Sequence, residues 1–188
     1  GVDSIELGAT IAVLMDAGKG GFGDVAFMKE VTSEMMAGSE IGKFYASGTA
    51  RVGENLNFKR VPVIKKQAIS AYDPRLIEVT GISMMVTAQG ADHTVGNNAT
   101  FKCDDKNIDE LVAESLRMQI NAAVADSLGL CVFGRSVTDD NLELISNAIN
   151  DAFDAGVTPD FIRNIGLETL RLEAAFNNAA GFDEDDDE

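Results

Sequence analysis

The chain has 188 residues, a formal net charge of −16 and a hydrophobic content of 45%. A chain of this length forms one domain or two small ones and buries a substantial core. The acidic charge argues against nucleic acid and membranes as partners, because phosphate binding needs clustered Lys and Arg. Two cysteines cannot form a disulfide framework, nothing resembles a secretory segment, and the apolar runs are too short to span a membrane. We therefore expect a cytoplasmic protein.

The ends of the chain predict a fragment of a longer protein. The sequence begins at Gly1 without a methionine and stops in the acidic run DEDDDE, residues 183–188. We expect this tail to be solvated and disordered. The rest is predicted to form two helical subdomains, the first (partial) over residues 1–75 and the second over residues 76–182.

Helical spacing of apolar residues dominates the first part of the chain. A first helix is predicted from Ser4 to Ala17, with Gly18 at its end. Asp24 is a predicted N-cap for a second helix, VAFMKEVTSEMMA, and a short helix follows from Glu40 to Ala46. The second helix carries an apolar stripe that is assigned to core packing: Phe27, Met28, Val31, Met35 and Met36.

The pattern weakens between residues 48 and 100. The segment LIEVTGISMMVTAQG suits either a helix or a buried strand, and helix is favoured because its apolar residues are spaced as on a helix face.

The second half gives clearer signals. A helix is predicted from Asn107 to Leu128, with a capping box formed by Asn107 and Glu110 and a left-handed end at Gly129. Thr138 and Asn141 are predicted to open the next helix, which ends at Gly156. A Thr158–Pro159 start and a stop at Gly181 bound the last helix, to about Ala179. The fold class is therefore all-α.

The motifs for phosphate loops, nucleophile elbows and paired-cysteine zinc sites are absent from the sequence. The single histidine, His93, lies in AQGADHTVGNN among glycines and small polar residues. A lone histidine is more often structural or simply exposed than catalytic, and no catalytic triad can be assembled around it.

The segment DSLGLC combines a helix end, Asp126 and one of the two cysteines. A helix that ends at Gly129 exposes its last carbonyls and the Asp126 carboxylate together, which suits a ligand with several N–H donors, such as a pterin or guanine-like ring. Leu130 is expected to pack back on the helix. Cys131 is open to two interpretations, a small packing residue or a metal ligand whose companion ligands lie outside this chain.

Five segments of the chain resemble motifs of the tungsten-containing aldehyde:ferredoxin oxidoreductase family, and they occur along the chain in the same order as in the family. DSLGLCVF resembles its D-x-x-G-L-C motif, and AQGADHTVGN is similar to its R-G-x-x-H segment. The others are GVDSIELGATIAVLMDAG, KKQAISAYDPR and IGLETLRLEAAFNNAAGF. Together they cover essentially the whole chain.

The resemblance implies the two helical, bundle-like C-terminal domains of a protein whose N-terminal β domain holds a bis-pterin cofactor. Cys131 matches the fourth ligand of a [4Fe–4S] cluster whose other cysteines lie upstream. Asp126, with Gly129 and Leu130 in the same motif, matches one pterin-binding segment, and Asp3 matches the end of the other. His93 matches a histidine near the metal that donates a proton or positions the substrate.

The implied activity is oxidation of an aldehyde to a carboxylic acid at a tungsten (or molybdenum) bis-pterin centre, with ferredoxin as electron acceptor. The fragment alone is expected to be inactive and to hold the cofactors only within the full-length protein, where a homodimer is a further expectation. Alternatives are a non-enzymatic acidic helical module that docks proteins, and reductase chemistry on carboxylates or aryl thioesters.

The sequence departs from the family pattern at four positions. Gln89 stands where the family has an arginine. Leu167 and Glu168 replace an acidic–arginine pair in the last motif, and Ala174 replaces its second arginine. These differences bear on the substrate and the metal. Cys103 matches no motif and is interpreted as a packing residue.

Overall fold

The computed structural model describes residues 1–187, without the side chains of Glu184 and Asp187. Over this range the chain is all-α apart from one two-stranded hairpin, which confirms the predicted class. The helices are α1 (Ser4–Asp16), α2 (Val25–Ala37), α3 (Glu40–Tyr45), α4 (Thr49–Asn55), α5 (Glu78–Val86), α6 (Ile108–Ser127), α7 (Arg135–Thr138), α8 (Leu142–Phe153) and α9 (Pro159–Ala180). The hairpin joins β1 (Val63–Ile64) to β2 (Gln67–Ala68), and Val132–Gly134 and Glu184–Asp187 are 3-10 turns.

Local capping chemistry sets most helix ends where the sequence predicts them. The capping box of α6 is complete, because Glu110 N–H donates to Asn107 and Asn107 N–H donates to Glu110, both at 3.0 Å. Thr158 caps α9 through the N–H of Phe161, and Gly181 closes it in a left-handed conformation.

The predicted bounds of the helix after α7 are wrong at both ends. Thr138 closes the short helix α7, and α8 begins at Leu142 with Asn141 as its N-cap. At the other end, Asp154 takes the left-handed conformation at φ +50°, so α8 stops before Gly156. A four-residue helix leaves no periodic pattern, which is why the sequence did not show α7.

The described residues group into two compact units, the first comprising Gly1–Ala71, Gly90–Asp92 and the described residues from Asp186 onward. Its core surrounds Leu14, Val31 and Val52. The Glu6 carboxylate accepts the N–H of Thr49 at 2.9 Å and that of Ala68 at 2.8 Å, so it joins α1 to the start of α4 and to β2.

The second unit comprises Tyr72–Gln89 and His93–Asp185 and is built around α6. Helix α6 packs against α5 and α9, and α8 packs against α9. Gly166 allows α9 to approach α6 closely, since a Cβ there would lie 2.5 Å from the carbonyl oxygen of Ile120. The core of this unit is centred on Ile120, Val124, Ile145 and Ile162.

The apolar stripe of α2 is core only in part. Val31 is fully buried, and Phe27 and Met35 pack against the same core. Met36 is 85% exposed and Met28 41% exposed, so the prediction that they are core residues is wrong. Helix α2 therefore buries a narrower face than its composition suggests.

The acidic tail extends to the end of the described range. Glu184–Asp187 form a 3-10 turn, and Glu188 lies outside the described residues. The predicted disorder of the tail and the predicted subdomain bounds, residues 1–75 and 76–182, stay predictions. Among the described residues, none of the helices combines the length and the apolar character needed to cross a membrane.

Candidate functional site

The C-terminal end of α6 is a complete Schellman turn. The N–H of Gly129 donates to the carbonyl of Asp126 at 3.2 Å, and the N–H of Leu130 donates to that of Ala125 at 2.8 Å. Gly129 has the predicted left-handed conformation, φ +67°. The expectation that the last carbonyls are free for a ligand is therefore wrong for Ala125 and Asp126, because both already accept N–H groups of the turn.

Leu130 fixes the direction in which the chain leaves α6. Its side chain packs, together with Leu128, against the core around Ile120 and Val124, which confirms that it packs back on the helix. The apolar contact and the turn hydrogen bonds hold the backbone on both sides of Gly129. The positions of Asp126 and Cys131 are thus set by a rigid turn.

Asp126 and Cys131 both present reactive atoms on the surface of the second unit. Asp126 is exposed, and its carboxylate makes no hydrogen bond or ion pair within the described residues. Cys131 is an exposed free thiol. The residues that follow it are also exposed, Val132 by 51% and Phe133 by 95%. The packing interpretation of Cys131 finds no support, since the side chain is not in the core.

The segment after Cys131 contains an ion pair that sequence reasoning missed. Arg135 Nε donates to both carboxylate oxygens of Asp139, at 2.9 and 3.1 Å, and only 14% and 16% of the two side chains are exposed. The spacing of four residues between opposite charges was the available signal. The pair stabilises α7 directly after the cysteine.

His93 lies in the loop between α5 and α6 of the same unit. Its ring stacks on Tyr72 with centroids 5.6 Å apart and planes inclined by 25°. The end of the loop is held by Thr80, which donates to Asn97 at 3.0 Å, and by Asn98, which donates to Glu114 at 2.6 Å. The loop is thus tied to α5 and α6, and the imidazole is oriented by an aromatic neighbour.

Glu114 is the main polar anchor of this loop on α6. Arg117 donates to both oxygens of its carboxylate, each at 2.9 Å, and Asn98 donates to one of them. The hydrogen bonds from Arg117 are the largest cause that lowers the pKa of Glu114 from its ordinary value. The carboxylate is therefore held in its charged form while the loop is in place.

Residues from two of the segments that resemble the family motifs, AQGADHTVGN and IGLETLRLEAAFNNAAGF, line a cleft of about 360 Å³. Its lining includes Gln89 from the His93 loop and Glu173 from α9. The Oε2 atom of Glu173 is buried and has no hydrogen-bond partner among the described residues. Gln89, which stands where the resembling family has an arginine, therefore borders the same cleft as Glu173.

Asp3 belongs to the other unit and has a clear structural role. Its Oδ1 atom accepts the N–H groups of Ile5 and Glu6, both at 2.8 Å, so it is the N-cap of α1. The side chain is exposed, and Oδ2 makes no hydrogen bond within the described residues. One carboxylate oxygen is thus left for a ligand.

The described part of the chain contains no cluster of three or more His, Cys, Asp or Glu side chains that could hold a metal ion. Cys131 therefore does not form a complete metal site with other described residues. Its exposed thiol is suited to be one ligand of a site that other parts of the protein complete. Cys103 is half-buried, with Sγ 3.8 Å from the carbonyl of Phe101, in keeping with a packing residue.

The chain thus combines an all-α fold with a carboxylate and a thiol on one capped helix end. The chain belongs to the aldehyde ferredoxin oxidoreductase family, because the model of its domains 2 and 3 matches residues 1–188.

The relatives include tungsten-containing aldehyde ferredoxin oxidoreductases from three archaea. The Pyrococcus horikoshii protein is 27% identical over 97% of this chain, and the Thermococcus kodakarensis protein is 25% identical over 100% of it. The Pyrococcus furiosus protein is 24% identical over 97% of it. The chain spans 34% of the length of each of these curated relatives.

Proposed function

We propose that this chain is the C-terminal helical part of an enzyme that oxidises an aldehyde to a carboxylic acid at a tungsten (or molybdenum) bis-pterin centre. Electrons leave through a [4Fe–4S] cluster to ferredoxin. The family match over residues 1–188 supports the proposal, and so do the names of the relatives, which carry the words tungsten, aldehyde and ferredoxin.

The observation that carries the proposal is the pair of free side chains on either side of the Schellman turn. The exposed carboxylate and the exposed thiol are held in fixed positions by the same capped helix end. The pair fits a site in which Asp126 and Cys131 bind two different groups from one backbone scaffold.

Cys131 would supply one thiolate ligand to the cluster. A cluster iron would hold the coordinating sulfur as a thiolate, since metal binding displaces the thiol proton. Further ligands would come from chain outside these residues, because the described part holds no group of three or more His, Cys, Asp or Glu side chains that could hold a metal.

The two aspartates would bind the pterins. Asp126 accepts N–H groups of one pterin, and the Oδ2 atom of Asp3 accepts those of the other while Oδ1 keeps capping α1. Each carboxylate is attached to a helix end that is fixed by its own hydrogen bonds, so it orients the ring that it binds.

His93 would move a proton for the reacting substrate. When bound, the metal–pterin centre and the cluster supply the two-electron oxidation and single-electron transfer. The imidazole of His93 would be the group that exchanges this proton. The stack on Tyr72 holds the ring plane during that exchange.

Iron analysis of the complete protein tests the proposal, with Cys131→Ala compared with the half-buried thiol variant Cys103→Ala. We expect Cys131→Ala to lose iron and the ability to reduce ferredoxin with an aldehyde, while Cys103→Ala keeps both. Unchanged iron and unchanged ferredoxin reduction in Cys131→Ala would reject the ligand role. They would favour instead a helical docking module, in which replacement of Cys131, Asp126 and His93 is tolerated.

A further inference from the structure

Three buried polar atoms lack partners in the region where the chain after Cys131 lies against α6. Among the described residues, the Nδ2 atom of Asn121, the Nη2 atom of Arg135 and the Oγ1 atom of Thr138 are shielded from solvent and make no hydrogen bond. Asn121 as a whole is only 9% exposed. Buried polar atoms in native proteins are nearly always paired with protein or with ordered water, so a group of three indicates a missing partner.

Two of these atoms belong to residues that line one small void. Asn121 contributes from α6, Thr138 and Asp139 contribute from the end of α7, and the remaining wall is apolar. The void measures about 10 Å³, which is about the space that a single water molecule requires. A larger ligand does not fit.

The polar lining favours an uncharged molecule that can both donate and accept hydrogen bonds. The amide of Asn121 offers a donor, the hydroxyl of Thr138 can donate or accept, and the carboxylate of Asp139 accepts. The charge of Asp139 is already balanced by Arg135 at 2.9 Å, so an ion would gain nothing there. A water molecule can bind to the two unpaired groups that line the void, those of Asn121 and Thr138, for either orientation of the Asn121 amide.

We propose that one ordered water molecule is bound between Asn121 and Thr138 and fastens the segment 131–139 to α6. Asn121 and Thr138 are then positioning residues, which act on Cys131 through the backbone that carries it. The consequence for the cluster rests on the proposed function, whereas the water site itself does not. The Schellman turn fixes the segment at one end, and the water fixes it at the other.

A crystal structure of the complete protein at high resolution tests the site directly. We expect an ordered water within hydrogen-bond distance of Asn121 Nδ2 and Thr138 Oγ1. An empty void, or side chains that have closed it, overturns the proposal even if the protein is loaded with iron. Conversely, a protein with the water but without iron refutes the proposed cluster and leaves the water site standing.

Amide hydrogen exchange of the complete protein tests what the water does. Thr138→Val keeps the shape of the side chain but removes a partner of the water, and we expect several-fold faster exchange over residues 131–139. Thr138→Ser retains the hydroxyl and should restore slow exchange, and Ser136→Ala, an exposed change on the same short helix, should have no effect. Equal exchange in Thr138→Val and wild type overturns the positioning role, as does failure of Thr138→Ser to restore it.

Discussion

The side-chain amide of Asn177 donates from Nδ2 to the carbonyl oxygen of Ala88 at 2.7 Å, across 89 residues of sequence. Asn177 lies on α9, and Ala88 begins the loop that carries His93. The loop is therefore held at its start by α9 and at its end by Thr80 and Glu114. A long, late helix thus anchors the start of the loop that carries the only histidine of the chain.

Replacement of Asn177 by alanine should loosen the start of this loop. The variant Asn177→Ala leaves the half-buried carbonyl of Ala88 without its donor, so we expect a loss of about 1–2 kcal/mol in the free energy of unfolding. Amide exchange should rise over residues 87–93. Asn178→Ala is the matched control, because Asn178 is exposed and makes no side-chain hydrogen bond within the described residues. Similar losses in both variants would show that the contact to Ala88 is unimportant.

Gly129→Ala tests the turn between Asp126 and Cys131 through backbone strain alone. Gly129 has φ +67°, and a Cβ at this position would contact nothing within 4 Å. We expect the variant to cost about 1–2 kcal/mol of stability, because an L-residue rarely adopts this conformation. Denaturant unfolding measures the cost.

The control for this prediction is Gly134→Ala. Gly134 also has open space for a Cβ, but its φ of −88° suits any residue. The Gly134→Ala substitution should therefore leave the free energy of unfolding unchanged or raise it slightly. An equal loss in the two variants would mean that helix-end strain does not determine the turn.

Acid should release the His93 loop from α6 through Glu114. The pKa of this carboxyl is lowered in the folded state, chiefly by hydrogen bonds from Arg117, so its contribution to stability is present above its ordinary value of 4.5. The contribution is lost as the pH falls through the lowered folded-state pKa. The stability advantage of wild type over Glu114→Gln should thus shrink as the pH falls below 4.5 and through the lowered folded-state pKa of Glu114.

Unfolding curves over this pH range, with Glu143→Gln as the control, check the prediction. Glu143 is exposed on α8, and its carboxyl makes no hydrogen bond within the described residues. Its replacement should leave the pH dependence unchanged. If the difference in stability between wild type and Glu114→Gln stayed constant with pH, the hydrogen bonds from Arg117 and Asn98 would not favour the charged form of Glu114 in the folded state.

Helix ends could be predicted from the sequence wherever their capping groups are local. The box at Asn107 and Glu110 and the turn at Gly129 need only a few neighbouring residues. The burial of whole faces could not be predicted, because it depends on distant neighbours: Met36 is 85% exposed although it is spaced like a core residue. The hairpin at residues 63–68 was missed since two-residue strands carry no alternation.

The candidate site was predictable only in part for the same reason. Asp126 and Cys131 could be found because they share one local turn. The anchor Asn177 could not, since its contact with Ala88 spans 89 residues of sequence, whereas the spacing of Arg135 and Asp139 did carry a local signal.

His93→Gln in the complete protein tests the proposed proton transfer. Glutamine keeps polar atoms of similar reach but cannot exchange a proton at neutral pH, so we expect kcat for acetaldehyde oxidation with benzyl viologen to fall about 10²–10⁴-fold. Iron and tungsten contents should match wild type, which separates chemistry from cofactor loss. Tyr72→Leu removes only the stacked ring, 5.6 Å from the imidazole centroid, and should cause a smaller fall. A His93→Gln enzyme with wild-type kcat and full metal content would show that the proton moves through another group.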